Sequence, residues 1–282
     1  MENIIEVKLT ELHPFPNHPF QVREDDAMRE TVESIREYGV MTPIIVRNRK
    51  EGGYEIISGH RRKRACELAG IKSVPVIVRD LDYDSAVIAM VDSNIQREEI
   101  LPSEKAAAYK MKLEAIKRQG ERRDLTSRQL VEKLDAAESV GSELHESGRQ
   151  VQRYIRLTEL EPELQQMVDT GKMAFTPAVE ISYLKPEEQR MLIDTIESEQ
   201  ASPSLSQAKR IKQMSREGRL NDDTMLAVMS EQKKPEKNEI VLPYDALMKY
   251  FPQNTTPHQM ERMIYKLLDS WQRKKQRQHG ER

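Results

Sequence analysis

The chain has 282 residues, 37% hydrophobic and 33% charged, which suffices for a buried core shared among two or three small domains. One cysteine, Cys66, excludes an internal disulfide, and no apolar run approaches the roughly 20 residues of a membrane span. The N-terminus, Met-Glu-Asn-Ile-Ile-Glu, is not basic and then apolar, so a cytoplasmic protein is expected, and a formal net charge of −2 permits nucleic-acid binding only where cations are sorted onto one domain or face.

Residues 1–100 read as a mixed α/β module. Asp25 to Tyr38 carries Met28, Val32 and Ile35 on one helical face, with Gly39 as a stop signal. Pro43 to Arg47 is a short strand, Gly52-Gly53 turns the chain into a second over Tyr54 to Ile57, and Val74 to Val78 is a third. Between the last two lies a helix over about His60 to Ala69, closed by Gly70. Cys66 on that helix fits a small buried thiol better than a nucleophile.

The strand-to-helix junction Ser58-Gly59-His60-Arg61-Arg62-Lys63-Arg64-Ala65 has the makings of a phosphate site. Glycine lets the backbone approach an anion, the first N–H groups of a helix lack intrahelical partners, and arginines supply forked donors. The plain alternative is a basic first turn facing solvent. Downstream, the apolar run Ala86 to Val91 ends in Asp92-Ser93-Asn94-Ile95-Gln96-Arg97-Glu98-Glu99. Asn94 and Arg97 are three apart and share one helix face, with Gln96 displaced around the axis.

Residues 103–230 read as helical throughout, with breaks at Gly120, Gly141, Gly148, Pro162, Gly171, Pro177, Pro186 and Pro203. One helix covers Leu125 to Leu134, capped at Thr126 or Ser127, with Arg128 on its first turn. A second begins at Ser147, turning Val151 and Ile155 inward and Arg149, Gln150, Gln152, Arg153 and Arg156 outward. Arginine reads guanine and phosphate, and glutamine reads adenine, so a helix-turn-helix is the functional reading and a solvated bundle face the plain one. The acidic stretch 135–146 between them is much longer than a compact turn and is placed away from a duplex.

Residues 231–240 are polar, contain Pro235 and read as a linker. In 241–282, Met260, Met263, Ile264, Leu267, Leu268 and Trp271 recur at helical spacing, and Tyr244 to Phe251 offers a shorter partner helix. Self-association or packing on the same chain would each cover that stripe, and Arg273, Lys274, Lys275 and Arg277 form a basic tail.

Over residues 7–200 these motifs resemble the ParB family of DNA-partition proteins, which includes KorB-type repressors and the nucleoid-occlusion protein Noc. Leu12-His13-Pro14 through Gln21-Val22-Arg23 is similar to the family's Pro-rich motif, Gly39 to Arg47 to its following strand, Gly59 to Ala65 to its Gly-Glu-Arg-Arg box, and Asn94 to Glu98 to its Glu-Asn-x-Gln-Arg box. The resemblance implies an α+β nucleotide-binding domain over 1–100, an all-α domain with a helix-turn-helix over 101–230, and a small, mainly α C-terminal module over 241–282. It also implies CTP and Mg2+ as cofactors, a palindromic double-stranded DNA site, a homodimer, a nucleoid or plasmid association, and a ParA-like ATPase as partner. Carried over by position, Gln21, Arg23, Gly59, His60, Arg61, Arg62, Asn94, Gln96 and Arg97 bind nucleotide, with Asn94 on the metal. Thr126, Ser127, Arg128, Ser147, Arg149, Gln150, Gln152, Arg153 and Arg156 face DNA.

Two positions depart from the family pattern. His60 replaces a glutamate tied to hydrolysis, and Ser93 replaces an acidic metal ligand, so nucleotide binding is expected with weak or absent CTP hydrolysis unless Asp92 or Glu98 substitutes. One rival is a plain repressor with a degenerate pocket. Another is an enzyme of related fold, either a nuclease or a sulfiredoxin-like phosphotransferase, for which Cys66 lies about two helical turns beyond Gly59.

Overall fold

Ile56 and Ile57 are neighbours on one strand and lie buried in two different apolar clusters. Such alternation is what a pleated strand covered on both faces requires. The computed structural model describes residues 4–96, 100–123, 137–138, 140–142, 146–231, 247, 249–252 and 255–279. They fall into two units, Met1–Gln232 and Lys233–Arg282.

In the first unit β1 (Ile4–Lys8), β2 (Leu12–His13), β3 (Ile44–Asn48), β4 (Tyr54–Ser58) and β5 (Ser73–Val78) form one sheet in the order β1-β5-β3-β4-β2. β3 is parallel to β5 and antiparallel to β4, while β1 and β2 add antiparallel and parallel edges. The three strands expected from sequence are present, and β1 and β2 are additional.

One face of the sheet carries α1 (Asp26–Tyr38) and α2 (His60–Ala69). α1 buries Met28, Val32 and Ile35 as its spacing predicts. Asp25 caps it by accepting from the Met28 N–H at 2.8 Å. On the other face, α3 (Tyr83–Ile95) and α4 (Pro102–Arg123) enclose Ile57 with Phe15 and Phe20.

The expected break at Gly120 does not occur, and α4 continues through it to Arg123. A Cβ at Gly120 would meet no neighbouring atom, so the glycine carries only its intrinsic penalty of about 1 kcal/mol. Packing outweighs that penalty. Ala106, Ala108 and Tyr109 of α4 are buried in three separate clusters, so this helix is shared by the α/β half and the helical half.

The helical half continues with α5 (Gly148–Arg156), α6 (Pro162–Asp169), α7 (Phe175–Ile181), α8 (Pro186–Glu199), α9 (Leu205–Arg216) and α10 (Asp222–Met229). Pro177 interrupts nothing, because it lies in the first turn of α7, where its missing N–H has no intrahelical partner to lose. The acidic stretch is not the loop that its composition suggests. Residues 137–138 and 140–142 are helical, and Ala137 and Val140 are buried with Tyr109, Leu113 and Val151. The expected helix at 125–134 lies outside the described residues. In the second unit α11 (Pro257–His279) buries Met260 and leaves Met263, Leu267, Leu268 and Trp271 exposed. Of the expected partner helix, Leu247 is helical, and 244–246 lie outside the described residues.

Candidate functional site

β4 passes into α2 through Gly59, whose φ of 115° is a left-handed conformation that glycine adopts readily. A Cβ there would press on Ile44 at 3.2 Å. The four cations that follow are all engaged. Arg61 donates to both carboxylate oxygens of Asp25, at 2.8 and 3.2 Å. Arg62 donates to the carbonyls of Thr42 and Pro43 at 2.5 and 2.6 Å. Lys63 pairs with Glu67 at 2.9 Å, and Arg64 with Glu24 and Glu67 at 2.6 and 3.0 Å.

These partnerships split the two central arginines by role. The Arg61 guanidinium holds the Asp25 carboxyl down to about 2, and in return its own affinity for a proton is raised. Burial shifts Arg62 the other way, below the ordinary arginine range, and its Nη1 donates to the chain entering β3. Arg61 thus lines the cleft, while Arg62 braces the start of β3.

A cleft of about 320 Å³ opens beside Arg61, lined by Phe20, Gln21, Arg23, Asp25, Ala27, Arg61, Ile100 and Glu104. Three expected residues, Gln21, Arg23 and Arg61, thus meet in one place. Two others enter with them. Asp25 and Glu104 each face an arginine, so the charges lining the cleft cancel. Glu104 is only 6% exposed and is the third residue of α4. Its Oε2 accepts from the Leu101 N–H at 3.1 Å, its Oε1 from the Gln21 N–H at 2.9 Å, and Arg23 lies 3.6 Å away. The first contact is half of a capping box, and the Leu-Pro-Ser-Glu sequence carried that signal.

His60 is buried, stacks on His18 with ring centroids 3.8 Å apart, and accepts from the Phe15 N–H at 3.4 Å. Asn94 is buried and donates its amide N–H to the Met90 carbonyl at 2.8 Å, so its oxygen is the atom suited to a cation. Ser93 donates to the same carbonyl, and Asp92 pairs with Lys112 at 2.6 Å. Among the described residues no three His, Cys, Asp or Glu side chains gather as a metal site. Asn94 would offer a hard divalent cation one amide oxygen at this corner. Gln96 is exposed at the end of α3, and Arg97 and Glu98 lie outside the described residues. Cys66 is fully buried, and burial pushes its thiol up to about 11, which removes it as a nucleophile.

In the helical half Ser147 caps α5 by accepting from the Gln150 N–H at 3.2 Å. Arg149 and Gln152 are exposed, and Gln150 is half-buried. Arg153 donates to Thr176 at 2.9 Å and lies over the Phe175 ring, while Arg156 donates to Ser182 and lies over Tyr183. Those two arginines fasten α5 to α7 and the residues after it. Thr126, Ser127 and Arg128 lie outside the described residues. A Cβ on Gly141 would run into the Glu146 carbonyl and the Gly148 nitrogen, so the helical residues before α5 approach it at backbone distance. The helical residues 137–138 and 140–142 fall in the stretch whose composition suggested a loop. A buried Ala-x-x-Val-Gly pattern at 137–141 was the available signal.

A family model described as the ParB N-terminal domain matches residues 1–95. The chain is 33% identical over 173 residues to the stage 0 sporulation protein J of Bacillus subtilis, covering 61% of this chain and 55% of that protein. It is 30% identical over 186 residues to the chromosome-partitioning protein Spo0J of Thermus thermophilus, covering 66% of this chain and 62% of that protein. The chain thus spans less than two thirds of the length of either relative. A solved structure of C-terminally truncated ParB from Caulobacter crescentus, complexed with CTP-gamma-S, is 26% identical, covering 74% of this chain and 98% of that one with a TM-score of 0.32.

Proposed function

From the ParB N-terminal domain that residues 1–95 form, we propose that this chain is a sequence-specific DNA-binding protein of ParB type, acting in chromosome or plasmid partition under control of CTP. The observation that carries the proposal is the meeting of Gln21, Arg23 and Arg61 in one cleft from separate motifs, each of which matches the family by position. The choice of CTP rests on that resemblance. Its phosphates would take Arg23 and Arg61, replacing carboxylate by a more highly charged anion. Were magnesium bound with the nucleotide, Asn94 would supply it an amide oxygen and the ion would offset phosphate charge. With His60 turned to Phe15 and His18, the reading is nucleotide binding ahead of hydrolysis.

DNA recognition is assigned to α5 together with the helical residues 137–138 and 140–142, as a helix-turn-helix. Arg149, Gln150 and Gln152 are the base- and phosphate-facing candidates, because Arg153 and Arg156 are committed to the fold. The exposed stripe of α11 supports a homodimer, which reads two half-sites of a palindrome, and a ParA-like ATPase completes the assembly.

Titration calorimetry with CTP, UTP, ATP and GTP, in magnesium, tests the cleft. Saturable heat with CTP alone is expected, and its absence in wild type removes the nucleotide half of the reading. Genome-wide mapping of bound DNA tests the rest: peaks with broad shoulders are expected, whereas isolated sharp peaks indicate a simple repressor.

A further inference from the structure

The first turn of α4 ties three parts of the chain together through three successive residues. The Ser103 N–H and hydroxyl both donate to Asp169 at the end of α6, the former at 2.9 Å. Glu104 accepts from Gln21 and faces Arg23 in the cleft. Lys105 pairs with Glu146, which directly precedes the Ser147 cap of α5, and its ammonium lies 4.6 Å from the Tyr154 ring centroid. One helical turn thus touches the cleft, the start of the proposed recognition helix, and the helix bundle behind it.

We infer that Glu104 is a latch through which occupancy of the cleft reaches α5, an inference that rests on nucleotide binding in that cleft. In the structure the carboxylate holds the 21–23 strap against α4. A phosphate on Arg23 competes with Glu104 for the same guanidinium and repels it at short range. Two arrangements result: Glu104 on the strap, or Glu104 released and retaining only the Leu101 cap. Because α4 is packed into three clusters, a shift of its first turn is transmitted as a movement of the helix, and Lys105 carries it to Glu146. Any ligand that favours one arrangement then changes affinity at the other site, and the effect is reciprocal. Glu104 and Lys105 are positioning residues.

The test uses the full chain and measures two quantities. The first is CTP affinity by calorimetry. The second is the ratio of affinities for cognate duplex with and without CTP. In wild type that ratio differs from one, with couplings of this kind typically about 5- to 150-fold. Glu104→Gln keeps one acceptor, removes the opposing charge, and is expected to bind CTP roughly tenfold tighter, with the ratio falling to near one. Lys105→Met leaves the cleft intact, so CTP affinity is unchanged while the ratio again falls to near one. A wild-type ratio of one, a variant that keeps the wild-type ratio, or a Glu104→Gln protein that binds CTP no more tightly overturns the latch. Should Glu104→Gln fail to fold, the Lys105→Met ratio decides alone. Absence of CTP heat in wild type is a different result, and it overturns the nucleotide reading itself.

Discussion

Asp25 holds Arg61 with both carboxylate oxygens while capping α1 with one of them. A single side chain therefore sets the start of a helix and the orientation of the arginine that faces the cleft. Its acidity is the consequence that can be measured. The folded carboxyl sits at about 2, below the ordinary value near 3.9, so its contribution to stability is complete above about pH 4 and is lost as pH falls toward 2. Asp25→Asn keeps the cap on Met28 and removes the titration. Thermal melts between pH 5 and pH 2.5 should show a shallower acid decline in the variant, and parallel curves would contradict the assignment.

Arg61 and Arg62 are adjacent, and their substitutions should separate cleanly. Arg61→Ala is expected to weaken CTP binding by at least about tenfold and to flatten the acid decline as Asp25→Asn does, with a smaller loss of melting temperature than Arg62→Ala because the pair with Asp25 is partly exposed and screened. Arg62→Ala should instead destabilise the fold by about 1.5–3 kcal/mol, the worth of charged hydrogen bonds to two carbonyls. Calorimetry and melting on both proteins settle the division.

Gly141→Ala places a methyl group against the Glu146 carbonyl and the Gly148 nitrogen, both of them backbone that cannot rotate away. A loss of about 1–3 kcal/mol is expected, the usual cost of overpacking, together with weaker binding to cognate duplex. Gly120→Ala, in open space, should stabilise α4 by up to about 1 kcal/mol. Urea unfolding of the pair compares a helix crossing with a helix surface.

On α5, Arg149→Ala and Gln152→Ala should leave stability unchanged and weaken DNA binding. If Arg149 contacts phosphate, its loss lowers the salt slope of binding by about one, and if it reads a base, discrimination drops by about 1–3 kcal/mol. Arg153→Ala should lower the melting temperature first, because Thr176 and Phe175 lose their partner. Fluorescence anisotropy at several salt concentrations distinguishes these outcomes.

The exposed face of α11 includes Leu267 and Leu268, at 62% and 53% of full exposure. Leu267→Glu should convert a dimer to a monomer in sedimentation velocity at low micromolar concentration. A monomeric wild type would dismiss the dimerisation proposal.

Periodicity and capping chemistry act over a few residues, and so the amino-acid order alone specified α1 with its three buried residues, α2 between two glycines, the three inner strands, and the inward face of α5. Resemblance to a known family, rather than local pattern, implied Gln21, Arg23 and Arg61 as partners in one site, and the cleft brings the three together. Which charges would be neutralised was beyond its reach. Glu104 reaches Gln21 across 83 residues and Asp25 reaches Arg61 across 36, and no local pattern encodes such pairings. Composition also misled at 135–146, where acidic side chains suggested a loop while Ala137 and Val140 were already assigned to a core by Tyr109 and Val151. Burial is a property of the partner surface, and only the assembled helices around α4 determined which residues received one.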